Sequence, residues 1–261
     1  MQIIAVANEK GGVAKTTTTI SLGGALVEMG YEVLLVDLDA QANMTLGLGI
    51  NPAKLRRSMA DVLLNSASVV SVSRETGVPG LDILASNDEM GLAERFLPVR
   101  QNYELILKQI FDTSQGLSAY HYILLDCPPS LGAVTLNALA AANQVITPTQ
   151  PEYFSAYGLR SAMALIRRVR AQANPNLAYK VLITMMDRRN RIHRTLQEQL
   201  HATFTDGLLK TVIEVDTKLR ESTVAGLPIT HYYPKSRSAI QYRELAQELV
   251  ENAKEKVSEP D

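Results

Sequence analysis

The residues with the means to do chemistry begin at Glu9-Lys10-Gly11-Gly12-Val13-Ala14-Lys15-Thr16-Thr17-Thr18. A glycine-containing turn running into an apolar helix (Ile20–Met29) offers backbone N–H groups and the positive end of a helix dipole to a phosphate chain. On that reading Lys15 reaches the β- and γ-phosphates, and the Thr16 hydroxyl ligates Mg²⁺. The ordinary G-x-x-x-x-G-K-[ST] spacing is not met, because Glu9 and Ala14 stand where its two glycines belong. The stretch fits a variant, K-G-G-x-x-K-[ST], in which Lys10 adds a second cation. The bland alternative is a strand-to-helix connection with chance lysines.

Two further acidic positions follow apolar runs. In Val36-Asp37-Leu38-Asp39-Ala40-Gln41 the carboxylates at i and i+2 share one side of an extended chain. Asp39 suits the orientation of an attacking water, and Asp37 the support of a Mg²⁺ shell or of the loop. An ordinary aspartate is a weak base, but phosphoryl transfer depends on positioning and charge stabilisation. Tyr122-Ile-Leu-Leu-Asp126-Cys127-Pro-Pro-Ser130 places Asp126 as the expected second Mg²⁺ element. Cys127 reads as a small residue packed at a strand end, with no histidine near it in sequence.

These positions need elements to hold them. Ile3–Asn8, Val33–Asp37, Leu81–Ala85, Tyr122–Asp126, Gln144–Thr149 and Lys180–Met186 are short runs dense in Val, Ile and Leu, as buried strands are. Ile192, Leu196, Leu200 and Phe204 make one helical stripe. Ala239, Tyr242, Ala246, Leu249 and Ala253 make another, in a last helix starting near Ser236. Strand–helix alternation predicts one α/β domain over residues 1–261, a mostly parallel sheet covered by helices on both faces. Ligands of such sheets sit beyond the carboxyl ends of the strands. The chemistry above follows predicted strands one, two and four.

Composition narrows the classes further. A single cysteine excludes disulfide scaffolds and self-contained thiolate metal sites, and implies a cytoplasmic protein. No G-x-G-x-x-G follows the first strand, which argues against a dinucleotide-dependent oxidoreductase. No signal peptide or membrane-spanning run is visible. The formal net charge of -1 hides an uneven distribution: residues 158–243 carry 15 basic against 6 acidic side chains. A basic stretch of that kind predicts a polyanion-binding face, against the plainer reading of solvated helix faces.

Lys10–Thr17, Val36–Gln41 and Leu125–Ser130 closely resemble the deviant Walker ATPases of the ParA/MinD superfamily. Pro151–Leu159, Tyr179–Asn190, Val224–Pro228 and Tyr233–Leu249 resemble later blocks of the ParA/Soj partition proteins, so the resemblance covers essentially the whole chain. It implies an ATPase, weak alone, with ATP and Mg²⁺ as cofactors. Two protomers of such proteins sandwich two ATP molecules, and Lys10 would reach across to the partner's phosphates. Gly11, Gly12, Val13, Ala14, Lys15, Thr16 and Thr17 would cradle the phosphates, with Lys10, Lys15 and Asp39 catalytic and Thr16, Asp37 and Asp126 at the metal. Met186, Asp187 and Pro234 are the candidates near adenine.

The resemblance further implies nonspecific binding of double-stranded DNA by the ATP dimer, placing it on the nucleoid. A ParB-like or cargo-adaptor partner would stimulate hydrolysis and reset it, so that DNA or protein cargo is segregated or positioned. Arg189 and Arg220 are the best matches for DNA contacts, with Arg167, Arg168 and Lys218 in neighbouring basic clusters; Arg188 or Arg189 could face adenine instead. A MinD-like membrane ATPase is the alternative, disfavoured by an acidic C-terminal stretch without Trp, Phe or Leu. Ala14 at a glycine position leaves open a scaffold that binds ATP with little turnover.

Overall fold

Valine, isoleucine and leucine on both faces of consecutive strands leave no polar face for solvent, so such strands must lie inside a helix–sheet–helix sandwich. The structure, a computed structural model, describes residues 1–152 and 155–258, with side chains described up to Glu152 and from Gly158 to Lys254. The Pro151–Leu159 motif therefore falls partly outside the described residues.

The strands are β1 (Gln2–Val6), β2 (Val33–Asp37), β3 (Arg74–Glu75), β4 (Leu81–Leu84), β5 (Tyr122–Asp126), β6 (Gln144–Thr149), β7 (Ala178–Met186) and β8 (Leu208–Glu214). They form one sheet in the order β3-β4-β2-β5-β1-β6-β7-β8. Every pairing is parallel except β3 with β4. The early helices are α1 (Lys15–Glu28), α2 (Asn43–Gly47), α3 (Met59–Asn65), α4 (Val69–Val72), α5 (Met90–Phe96) and α6 (Ile106–Thr113). The later ones are α7 (Ala133–Ala141), α8 (Ser155–Gln172), α9 (Arg191–Thr203), α10 (Lys218–Ala225), α11 (Ile229–Tyr232) and α12 (Arg237–Ser258).

Alternation along β2 divides the core. Leu34 and Val36 face a cluster with Leu63, Met90, Leu107 and Leu139, whereas Val33 and Leu35 face one with Leu22, Leu26, Tyr242 and Leu245. The expected sheet with two helical layers is therefore present. Two strands were not legible in the sequence. β3 is only two residues long, and β8 is an edge strand whose pattern is broken by exposed Lys210. Ile192, Leu196 and Leu200 of the expected stripe lie on α9 and Phe204 caps its end, but the stripe is only partly covered. No residue of α9 is buried, and Ile192 is 65% exposed. The α12 stripe is deeper, with Ala239, Tyr242 and Ala246 fully buried.

After β1 the chain crosses to β2 on one side, and after β5 it crosses to β6 on the other. The reversal opens a crevice at the carboxyl ends of β1 and β5, where α/β sheets place their ligands. Among the described residues no helix is long and apolar enough to cross a membrane.

Candidate nucleotide site

The turn between β1 and α1 is built on two left-handed residues, Gly12 (φ 73°) and Ala14 (φ 66°). That conformation aims successive N–H groups into one concavity at the start of α1, an anion-binding arrangement. Ala14 adopts the backbone that a glycine would take without strain, at a cost of roughly 1–2 kcal/mol. A cleft of about 650 Å³ opens above the turn, a volume suited to a small-molecule ligand. Gly11, Gly12, Ala14, Lys15, Thr16 and Thr17 line it, together with Asp39. Val13 points inward, fully buried, and its carbonyl accepts a hydrogen bond from Thr184 Oγ1 at 3.0 Å.

Lys15 is buried at the mouth of α1, its Nζ 3.3 Å from the Lys10 carbonyl oxygen. Desolvation lowers its affinity for a proton, opposed by the nearby Asp126 carboxylate. Such a cation gains most from an anion that replaces lost water. Asp37 and Asp126 lie side by side in register on β2 and β5, both almost without solvent contact. Burial pushes the Asp37 carboxyl up to about 6. Asp126 is raised well above the usual range by burial and then by the charge of Asp37.

The two acids have different duties. Asp37 Oδ1 accepts from the Asp39 backbone N–H at 3.1 Å, and Oδ2 accepts from the Thr45 N–H and hydroxyl at 2.9 and 2.7 Å. Both Asp37 oxygens hold the segment that carries Asp39, which fits the loop support expected of it; its expected place in a Mg²⁺ shell stays a proposal. Thr45 also accepts from the Ser86 N–H at 2.9 Å, and Ser86 Oγ donates to the Asp39 carbonyl at 2.7 Å. Sequence reasoning missed Thr45 and Ser86. Only the position of Ser86, just past a predicted strand, hinted at it.

Asp126 Oδ2 accepts from Thr16 Oγ1 at 2.7 Å, while its Oδ1 is buried without a hydrogen-bond partner. An unmet carboxylate oxygen beside a hydroxyl fits a hard divalent cation. Among the described residues no group of three His, Cys, Asp or Glu side chains could hold a metal ion alone. A Mg²⁺ ion held by few protein ligands would be completed by phosphate oxygens and water. Thr16 and Asp126 would hold the ion.

The three residues expected near adenine lie outside the cleft lining. Met186 is buried in the small core with Leu159, Val181 and Ile183. Asp187 pairs with Arg189 at 3.2 Å, and the exposed Pro234 gives its carbonyl to Arg243. None of the three lines the cleft; Met185 does, with Ile213, Glu214, Val215 and Asp216 at the end of β8. A shift in register between β7 and β8, with Met185 at φ 54°, turns that side chain into the opening. These residues escaped notice because β8 itself did. Glu214 is held by Arg188 at 2.6 Å and Arg237 at 2.9 Å, so Arg188 braces the wall instead of facing the opening.

The basic residues are spread over several elements. Arg189 is exposed beside Asp187, and Lys218 pairs with Glu221 at 2.7 Å. Arg168 contacts Gln172, and Arg167 flanks a groove between α8 and α9. Arg220, on α10 with Lys218, is among the residues lining the nucleotide cleft, as are Asp39 and Gln41. Lys10, unlike Lys15, is not among the residues lining the cleft; its ammonium lies 2.6 Å from Glu152 Oε2 and 3.3 Å from Gln150 Oε1.

Comparison with known proteins places the chain in a family. A family model described as an AAA domain matches residues 1–179. The sporulation initiation inhibitor protein Soj of Bacillus subtilis is 39% identical over 252 residues, covering 96% of this chain and 99% of its own. The chain belongs to the ParA/Soj family of ATPases. The chromosome partitioning protein ParA of Caulobacter vibrioides is 36% identical, covering 98% of this chain and 96% of its own. A solved structure titled cobyrinic acid a,c-diamide synthase, from Mycobacterium smegmatis with a bound ATP analogue and magnesium, superposes with a TM-score of 0.85. It is 35% identical and covers 97% of this chain and 96% of its own.

As a ParA/Soj ATPase the chain takes ATP with Mg²⁺, which supplies the phosphoryl group transferred to water. The residues of the chain position and neutralise. Lys15 and the turn amides would hold negative charge and Thr16 with Asp126 would hold the cation, while Asp37 and Ser86 fix the backbone of Asp39 at the rim.

Proposed function

We propose that this ATPase dimerises on ATP, binds double-stranded DNA without sequence preference in that state, and is reset when a partner protein stimulates hydrolysis. The observation that carries the reading is the division of labour between two lysines on one turn. Lys15 serves its own cleft, while Lys10 is directed away from it, onto Glu152 and Gln150. A cation presented to a second protomer would neutralise charge developing on that protomer's phosphates, as an arginine finger does. Asp39, with its backbone clamped, orients the attacking water.

Arg167, Arg168, Arg189 and Lys218 are the proposed phosphate contacts. The partners of Arg168, Arg189 and Lys218 are exposed acids or amides, and exposed ion pairs are worth little, so DNA phosphates can recruit these side chains. Arg220 lines the nucleotide cleft, and its expected DNA role competes with contact to the nucleotide. The partner decides whether the cargo is a plasmid, a chromosome or a protein assembly. Cytoplasmic location and nucleoid association in the ATP state follow from the same reading. The diamide-synthase name of the Mycobacterium smegmatis structure suggests a different chemistry. Cys127 is buried and its thiol is pushed far up by desolvation, so it takes no part in the proposed reading.

The test is a salt titration of binding to random-sequence duplex DNA with ATP–Mg²⁺, ADP or no nucleotide. ATP-only binding that falls steeply with salt is the expected result. Absence of binding in every state would return the basic residues to ordinary surface and direct attention to membranes or protein partners.

A further inference from the structure

One side chain outside the nucleotide cleft touches three parts of the machinery at once. Gln150 follows the last residue of β6, half-buried at the crevice. Its Oε1 accepts from Lys10 Nζ at 3.3 Å. Its Nε2 donates to the Gly12 carbonyl at 3.0 Å and to Met185 Sδ. Gly12 belongs to the phosphate turn and Met185 to the wall at the far end of the cleft, and both line it. Both also have positive φ, and Met185 is not a glycine. A strained backbone of that kind persists only where its surroundings hold it, and it concentrates at sites that switch.

A primary amide has one acceptor end and one donor end, and here both are committed. Movement of Gly12 or Met185 therefore pulls on the same group that holds Lys10. The geometry points to Gln150 as a positioning residue that links occupancy of the cleft to release of Lys10 from its own protomer. A ligand that displaces the Gly12 carbonyl or the Met185 side chain rotates the amide and weakens its hold on the ammonium. With that hold weakened, a second protomer's phosphates can compete for the ammonium against the exposed carboxylate of Glu152. The inference rests on the proposed reading that Lys10 acts across the dimer.

Gln150→Glu separates the two ends. The carboxylate still accepts from Lys10 but donates nothing to Gly12 or Met185. With the nonhydrolysable analogue adenylyl imidodiphosphate and Mg²⁺, monomer affinity measured by displacement of a fluorescent nucleotide stays within about threefold, while the analogue-driven dimerisation constant from sedimentation velocity weakens by about tenfold or more. Met185→Leu keeps the volume, removes the sulfur acceptor and shifts dimerisation in the same direction by about threefold. Combining Gln150→Glu with Glu152→Gln offsets the carboxylate added beside Lys10 by removing the one at Glu152, and the defect is expected to persist.

Wild-type dimerisation by Gln150→Glu, or by the double variant, overturns the inference. Loss of nucleotide binding by Gln150→Glu overturns it too, because the residue is then a structural prop. Lys10→Ala distinguishes the two failures. If it abolishes dimerisation while Gln150→Glu does not, only the linkage through Gln150 falls. If Lys10→Ala dimerises normally, the reading of Lys10 as a cation in trans falls with it.

Discussion

Asp37 and Asp126 show what the site costs the free protein. Two adjacent buried carboxylates repel, and neither is fully compensated until a cation arrives. Because both bind protons more tightly folded than unfolded, the stability they contribute is present below the ordinary aspartate range and is lost as pH rises through their raised values. Asp126→Asn keeps an acceptor for Thr16 and removes one charge. Its melting temperature without nucleotide should exceed that of wild type by a margin that grows between about pH 4 and pH 7. The same variant should lose the Mg²⁺ dependence of ATP binding; a calorimetric titration with and without Mg²⁺ reads this directly. Lys15→Ala removes a charged contact worth roughly 1.5–3 kcal/mol, so ATP affinity should fall by more than about tenfold in the same assay. Ala14→Gly should relieve the left-handed strain and stabilise the protein by about 1 kcal/mol in denaturant melts.

Elements are positioned by close approaches that spacing alone does not reveal. α1 packs against the start of α11 at Gly24, where an added Cβ would lie 2.5 Å from Pro228 Cβ and 2.7 Å from Thr230 Oγ1. Proline cannot yield there, so Gly24→Ala should destabilise by about 1–3 kcal/mol and reduce nucleotide affinity by tilting the start of α1. A urea melt run beside a nucleotide titration separates the two effects. Glu248 on α12 performs the matching task at the edge of the sheet, accepting from the Lys210 and Thr211 N–H groups at 2.7 and 3.0 Å. It closes an edge that would otherwise invite pairing with another chain.

For the molecule as a whole, charge and symmetry matter more than any one side chain. Nonspecific DNA affinity scales with the number of phosphates neutralised. Arg167→Glu with Arg168→Glu should weaken binding uniformly across sequences and reduce the salt slope by about 1 for each phosphate that is no longer neutralised. Dimerisation on ATP should be unchanged. Unchanged DNA binding in that variant would restore the solvated-face reading of α8. If Arg220→Glu lowers ATP affinity before it lowers DNA affinity, its role follows its place in the cleft.

The phosphate turn, the acids after β2 and β5, and the parallel sheet were legible in the sequence because each is local. A strand end, a glycine turn and a helix start occupy neighbouring residues, and buried strands announce themselves by composition. Tertiary structure alone decided the rest. The cleft wall from Met185 and Ile213 to Asp216 depends on β8, an edge strand whose sequence is half polar, and on a register shift with no local signature. Ser86 reaches back more than 40 residues to Thr45 and Asp39, and so ties the loop after β2 to the end of β4. Gln150 and Glu152, which the Lys10 ammonium contacts, lie about 140 residues away, just past the strand that the crossover of the sheet places beside β1. Short-range patterning specifies which elements form; which side chains share a cavity is settled only when the order of the strands brings their ends together.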